Sequence, residues 1–122
     1  MTQKTVLIVD DGIDFITAYQ TILRANGFNT ISALSMAQGL EQLAANEVNL
    51  IVLDIMMEMP DSGFEFMNEL HARESSIPVI LCSSIADASQ MNFDLNALGA
   101  CAILQKPVDL DELVALAQKF AR

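Results

Sequence analysis

Four short runs in this sequence each end in residues able to do chemistry. Val6-Leu7-Ile8-Val9 ends in Asp10-Asp11 and Leu50-Ile51-Val52-Leu53 ends in Asp54. Val79-Ile80-Leu81-Cys82 ends in Ser83-Ser84, and Ala102-Ile103-Leu104-Gln105 ends in Lys106-Pro107. Apolar runs of this kind suit strands covered on both faces, as in a parallel sheet. The carboxyl edge of such a sheet is where open α/β folds bind ligands. Three carboxylates, a hydroxyl and an ammonium then meet at one edge. Clustered carboxylates repel and raise each other's pKa unless a cation sits among them. Oxygen-only ligands favour a hard ion, and Mg²⁺ fits best. Lys106 is placed to pair with a carboxylate or with an incoming anion. The set suits phosphoryl transfer to a carboxylate, with Asp54 attacking phosphorus and Mg²⁺, Lys106 and Ser83 neutralising the equatorial oxygens. An ionised carboxylate needs no general base. This agrees with the sole histidine, His71, being placed on the exposed side of a helix.

The elements that must position these groups are readable from periodicity. Strands are expected over about 5–9, 28–33, 49–53, 78–82 and 101–105, and helices over about 14–26, 36–46, 64–73, 85–98 and 110–120. Phe15, Ala18, Ile22 and Ala25 recur at three- and four-residue spacing and give the first helix its inner face. Gly27 suits the left-handed stop that follows. The weaker second strand suits a sheet edge. Ser35-Met36-Ala37-Gln38 matches a capping box, and the helix it opens is expected to bury Ala37, Leu40, Leu43 and Ala44. Pro60-Asp61-Ser62-Gly63 signals a turn before a helix with Phe64, Met67 and Leu70 inward. Pro78 opens a strand where a missing N–H is tolerated. Asp109 is expected to cap a last helix with Leu113, Leu116, Ala117 and Phe120 on its apolar stripe. Five β units, each followed by a helix, give a doubly wound five-stranded parallel sheet. Right-handed crossovers and short loops favour the flavodoxin-like order 2-1-3-4-5, with Asp10, Asp11 and Asp54 at the switch point between the first and third strands.

At 122 residues the chain is read as a single domain, 1–122. Hydrophobic residues at 52% against 18% charged argue against disorder. The net charge of −10, from 16 acidic residues against 6 Lys and Arg, disfavours a direct nucleic-acid surface. No apolar stretch approaches the roughly 18 residues of a membrane span. The N-terminus runs straight into a strand, leaving no room for a signal peptide, so a cytoplasmic setting is expected. Cys82 and Cys101 lack metal-ligand spacing and read as small buried hydrophobes in a reducing compartment.

The ordered set Leu7-Ile8-Val9-Asp10-Asp11, Leu53-Asp54-Ile55-Met56-Met57, Pro78-Val79-Ile80-Leu81-Cys82-Ser83 and Lys106-Pro107 resembles the receiver domain of two-component response regulators over the whole chain. The resemblance implies that Asp54 accepts a phosphoryl group from a histidine kinase or histidine phosphotransfer protein, switching a surface read by a downstream effector protein. It implies Mg²⁺ held by Asp11 and Asp54, with Asp10 assisting, and by the Met56 backbone carbonyl. Ser83 would sense the phosphoryl group and Lys106 would bind it. In this fold Met56 and Ile85 would flank the path of a hydrolytic water. Both are apolar, so slow autodephosphorylation is expected.

Some positions depart from the family pattern. Glu58 and Met59 precede Pro60, Ser62 separates Asp61 from Gly63, Ile103 stands where an aromatic is usual, and Gly12 and Ile13 follow the acidic pair. Three other readings compete. A non-phosphorylated pseudo-receiver acting as a binding module would have lost an acidic, hydroxyl or lysine position, and none is lost. A flavin carrier of this fold would need a phosphate cradle where Asp10-Asp11 repels phosphate. A phosphohydrolase would want an acid where Met56 stands. No output domain is encoded after the last helix, which leaves open a stand-alone regulator or a receiver cut from a longer protein.

Overall fold

The computed structural model describes residues 3–54, 62–73, 75–83 and 100–121. Five strands, β1 (Thr5–Val9), β2 (Asn29–Ala33), β3 (Leu50–Asp54), β4 (Val79–Ser83) and β5 (Ala102–Gln105), form one parallel sheet in the order β2-β1-β3-β4-β5. The described helices are α1 (Ile13–Ala25), α2 (Met36–Ala45), α3 (Ser62–Ala72) and α4 (Leu110–Phe120). The expected helix over 85–98 with its stop at Gly99, the loop carrying Met56, Met57, Met59 and Pro60, and the inward Phe64 side chain all lie outside the described residues.

β1, β3, β4 and β5 each serve two cores, which is why the central runs show no polar alternation. Val6, Ile8, Val52, Ile80, Cys82 and Leu104 pack against Ile16, Tyr19 and Leu23 of α1 and Leu113, Val114 and Ala117 of α4. Leu7, Val9, Ile51, Leu53, Val79 and Leu81 pack on the other side against Phe66, Met67 and Leu70 of α3. Each fully buried aliphatic side chain here contributes roughly 1.5–3 kcal/mol. The edge placement of β2 agrees with its weaker pattern.

The Ser35 and Asp109 caps read from sequence form, with Gln38 reaching one residue further back than a capping box requires. Ser35 Oγ accepts from the Gln38 N–H at 3.1 Å, and Gln38 Oε1 reaches back to accept from the Leu34 N–H at 2.8 Å. Asp109 accepts from the N–H groups of Asp111 and Glu112 at 2.9 and 3.2 Å. Gly27 sits at φ +90°, where only glycine is unstrained.

Two helical faces are corrected. The buried stripe of α1 is Ile16, Tyr19 and Leu23, while Phe15 and Ala25 are exposed. The apolar body of Tyr19 carries the stripe, and a reading that starts from Phe15 rotates the face by one residue. In α2 the buried residue is Gly39, flanked by partly buried Met36, Leu40 and Leu43, while Ala37 and Ala44 are exposed. A Cβ at Gly39 would lie 2.8 Å from Phe66 Cε2 and 3.2 Å from Val9 Cγ2, so α2 comes this close to the sheet only because the residue has no side chain.

Gly39→Ala is therefore expected to destabilise the fold by about 1–2 kcal/mol in urea unfolding. The overpacking cost of about 1–3 kcal/mol exceeds the gain in helix propensity of up to about 1 kcal/mol. An unchanged or raised midpoint would show that Phe66 and Val9 give way freely.

Candidate functional site

The register of β1 on β3 pairs Val9 with Leu53, so the next residues, Asp10 and Asp54, stand side by side at the ends of the two central strands. Both are nearly buried, at 2% and 5% exposure, while Asp11 is exposed. One carboxylate oxygen from each of the three lies within 4.8 Å of the others. The Asp10 N–H donates to the Ala33 carbonyl at 3.1 Å, fixing the chain as it leaves the sheet.

Lys106 supplies the counter-charge. Its Nζ lies 3.0 Å from Asp10 Oδ2 and 3.3 Å from Asp54 Oδ2. The other Asp10 oxygen accepts from the Gly12 N–H at 2.8 Å. The Lys106 N–H donates to the Ser83 carbonyl at 2.6 Å, which ties the base of the lysine to the end of β4. The Lys106–Pro107 peptide is cis. Burial alone would pull the ammonium pKa down. The hydrogen bond to Asp10 and the charges of Asp54 and Asp10 more than offset this, and the group is held above the usual lysine range.

The structure thus brings together Asp10, Asp11, Asp54 and Lys106. Ser83 is buried at the end of β4, one step past Cys82, the residue paired with Asp54. Its carbonyl joins the cluster through Lys106, and no hydrogen bond of its hydroxyl to the carboxylates is found among the described residues. Met56 lies outside the described residues, and His71 is exposed.

The model of the response regulator receiver domain matches residues 6–118. The chain belongs to that family.

The receiver chain is 34% identical over 122 residues to the transcriptional regulatory protein PrrA of Mycobacterium tuberculosis, covering 100% of this chain and 52% of that protein. It is 33% identical over 114 residues to the transcriptional regulatory protein ZraR of Escherichia coli, covering 93% of this chain and 25% of that protein. The chain thus spans about half the length, or less, of these curated relatives. Among solved structures, a response regulator receiver protein from Pseudomonas putida superposes with TM-score 0.87 at 27% identity, covering 98% of each chain. The chemotaxis response regulator CheY4 of Vibrio cholerae, at 22% identity, TM-score 0.83 and coverage of 98% of this chain and 99% of that one, shares the fold.

The receiver's acidic cluster fits a hard divalent ion. Its donors are all oxygen, they converge, and Asp11 stays open to solvent.

Beneath the cluster lie two groups that sequence reading assigned no role at the site. Tyr19 is buried, with its hydroxyl lacking a well-formed hydrogen bond and set against the Cys82 thiol. Burial pushes Cys82 up to about 12; Asp10 and Asp54 add to this, and Lys106 opposes it. Burial likewise raises Tyr19, helped by Cys82, Asp10 and Asp54. A Tyr three residues after Ile16 and four before Leu23 was the available signal. Phe15 was read as a core residue, yet its ring covers Lys106 at 4.1 Å from Nζ.

These shifts share one sign. Cys82 and Tyr19 stay neutral in the fold beyond the pH at which the unfolded chain ionises, and Lys106 keeps its proton longer when folded. The stabilisation is complete below about pH 9 and is lost as pH rises toward 12, at up to about 1.4 kcal/mol per pH unit for each group. Urea midpoints should fall across that window, and Cys82→Ala should make the fall shallower, leaving the smaller part from Cys101, whose thiol is also raised by burial, and from Tyr19 and Lys106. A midpoint flat from pH 8 to 11 would contradict this.

Proposed function

We propose that this receiver, as one domain over 1–122, accepts a phosphoryl group on Asp54 from the phosphohistidine of a sensor kinase or phosphotransfer protein. The observation that carries the reading is the Lys106 ammonium, 3.3 Å from an oxygen of a buried carboxylate that ends a central strand. Asp54 is nearly dry and already carries its cationic partner, whereas Asp11 is open to solvent.

In the transfer, an Asp54 oxygen forms the new bond to phosphorus as the phosphorus–nitrogen bond of the donor breaks, and the pair of electrons leaves with the imidazole. Lys106 stands beside that oxygen and binds the equatorial oxygens as charge gathers on them. Asp10 holds Lys106 in place through its 3.0 Å bond, itself fixed by the Gly12 N–H. Ser83 contributes its hydroxyl to the transferred group. Asp11 and Asp54, with Asp10 assisting and the Met56 carbonyl, would hold Mg²⁺, which when bound neutralises negative charge on the phosphoryl oxygens. The acidic balance of the chain favours an effector protein over direct contact with nucleic acid. No described helix is long and apolar enough to cross a membrane, and a cytoplasmic setting belongs to the same reading.

Incubation with labelled acetyl phosphate should give Mg²⁺-dependent, acid-stable label, and Asp54→Asn should abolish it. Undiminished label in that variant, or none in the wild type, would overturn the assignment, the second outcome favouring an unphosphorylated binding module.

The phosphoryl group is expected to last. By the family's pattern the positions flanking an in-line water are those of Met56 and Ile85, and neither side chain can orient a water by hydrogen bonding. After removal of the donor, label should persist for minutes or longer, and Met56→Asn should shorten its lifetime. Decay within seconds in the wild type would refute this.

A further inference from the structure

The first turn of α1 places an aromatic ring where the core does not need it. The helix buries Ile16, Tyr19 and Leu23, while Phe15 remains 37% exposed. Its ring nevertheless has a defined position. The Lys106 Nζ sits 4.1 Å from the ring centroid, well inside the reach of a cation–π contact. One turn on, Tyr19 supports the ring, with centroids 6.2 Å apart and planes tilted by 35°. On the other side is Gly12, where a Cβ would come within 2.9 Å of Phe15 Cδ2 and 3.2 Å of Asp10 Oδ1. Any side chain at Gly12 would push the ring away or disturb Asp10. The ring is therefore held between a glycine and a tyrosine, across the ammonium that Asp10 and Asp54 share.

Resting on the reading above, we propose that Phe15 is a positioning residue for phosphoryl capture: its ring face holds the Lys106 ammonium over Asp10 and Asp54 and keeps water from competing for it. The physical need is specific. A lysine carries its charge on a flexible four-carbon stem. Two carboxylates attract that charge but do not define the side from which water approaches. An aromatic face attracts the cation without accepting a conventional hydrogen bond. Lys106 can exchange a carboxylate oxygen for a phosphoryl oxygen beneath such a ring without first being released to solvent. The side-chain exposure of Lys106, 13%, agrees with this shielding, although it lies at the edge of the sheet. Burial of apolar area would explain Phe15 poorly, because more than a third of the residue stays wet.

The test separates the electrostatics of the ring from its bulk. Phe15 is replaced by mono-, di- and trifluorinated phenylalanine, which keep its shape but progressively remove negative charge from its face. The rate of Asp54 labelling by acetyl phosphate in saturating Mg²⁺ should fall stepwise, by roughly two- to fivefold across the series. Phe15→Leu should lose at least as much as the most fluorinated ring. Mg²⁺ affinity should not change in any of them. A second readout needs no phosphorylation: the nitrogen–proton signal of the Lys106 ammonium should be ring-shifted and slow to exchange with water in the wild type, and should lose both properties in Phe15→Leu. A rate that is flat across the fluorinated series, or a Lys106 signal identical in wild type and Phe15→Leu, overturns the proposal. A wild-type chain that takes no label at Asp54 overturns the phosphoacceptor reading and this proposal together, and that result is visible before any variant is made.

Discussion

One shared ammonium holds the site together. Asp10 and Asp54 end adjacent strands, which in any sheet run about 4.8 Å apart. At that spacing and an effective dielectric near 20, two carboxylates repel by roughly 3 kcal/mol. Lys106 turns this repulsion into a bridge, with 3.0 and 3.3 Å contacts to the two sides. It must reach them from β5, across the end of β4 and past β3. The geometry works because the backbone of Lys106 is hydrogen-bonded to Ser83 at the end of β4, so the stem starts close to the edge it must cross. Strand order, the crossovers that produce it and the burial of both carboxylates are all conditions for this one contact.

Much of this was legible in the sequence. Strands buried on both faces read as unbroken apolar runs, and their terminal polar residues mark the edge, so the order 2-1-3-4-5 and the convergence of Asp10, Asp11, Asp54 and Lys106 followed from chain order and topology rules. What could not be read was set by contacts between elements. The face of α1 depends on Tyr19 lodging beneath the acidic cluster, and hydropathy alone does not rank that Tyr above Phe15. Gly39 looks like a weak helical residue until Phe66 and Val9 are seen against it. The role of Phe15 needs both the glycine three residues before it and a lysine 91 positions later. The Ser83 carbonyl bond to the Lys106 N–H is a main-chain contact that side-chain identity does not encode.

The departure at Ile103 has a structural counterpart. Ile103 packs, partly buried, with the core shared by α2 and α3, while its neighbours Ala102 and Leu104 join the core under α1 and α4. A branched aliphatic side chain has no large ring to swing between two positions.

The division of β1, β3 and β4 between two cores also bears on what changes of sequence the edge can absorb. In β1, β3 and β4 the even-numbered residues Val6, Ile8, Val52, Ile80 and Cys82 form one layer, and Asp10 and Asp54 continue that series beyond it. The odd-numbered Leu7, Val9, Ile51, Leu53, Val79 and Leu81 form the other. Conservative exchanges among the odd positions can drift with little effect on the acidic edge. Gaining or losing a single residue within a strand is different, because it reverses the parity of everything after it and carries a carboxylate to the wrong side of the sheet. These strands thus tolerate substitution better than insertion or deletion, and a change of length costs least in the loops between them.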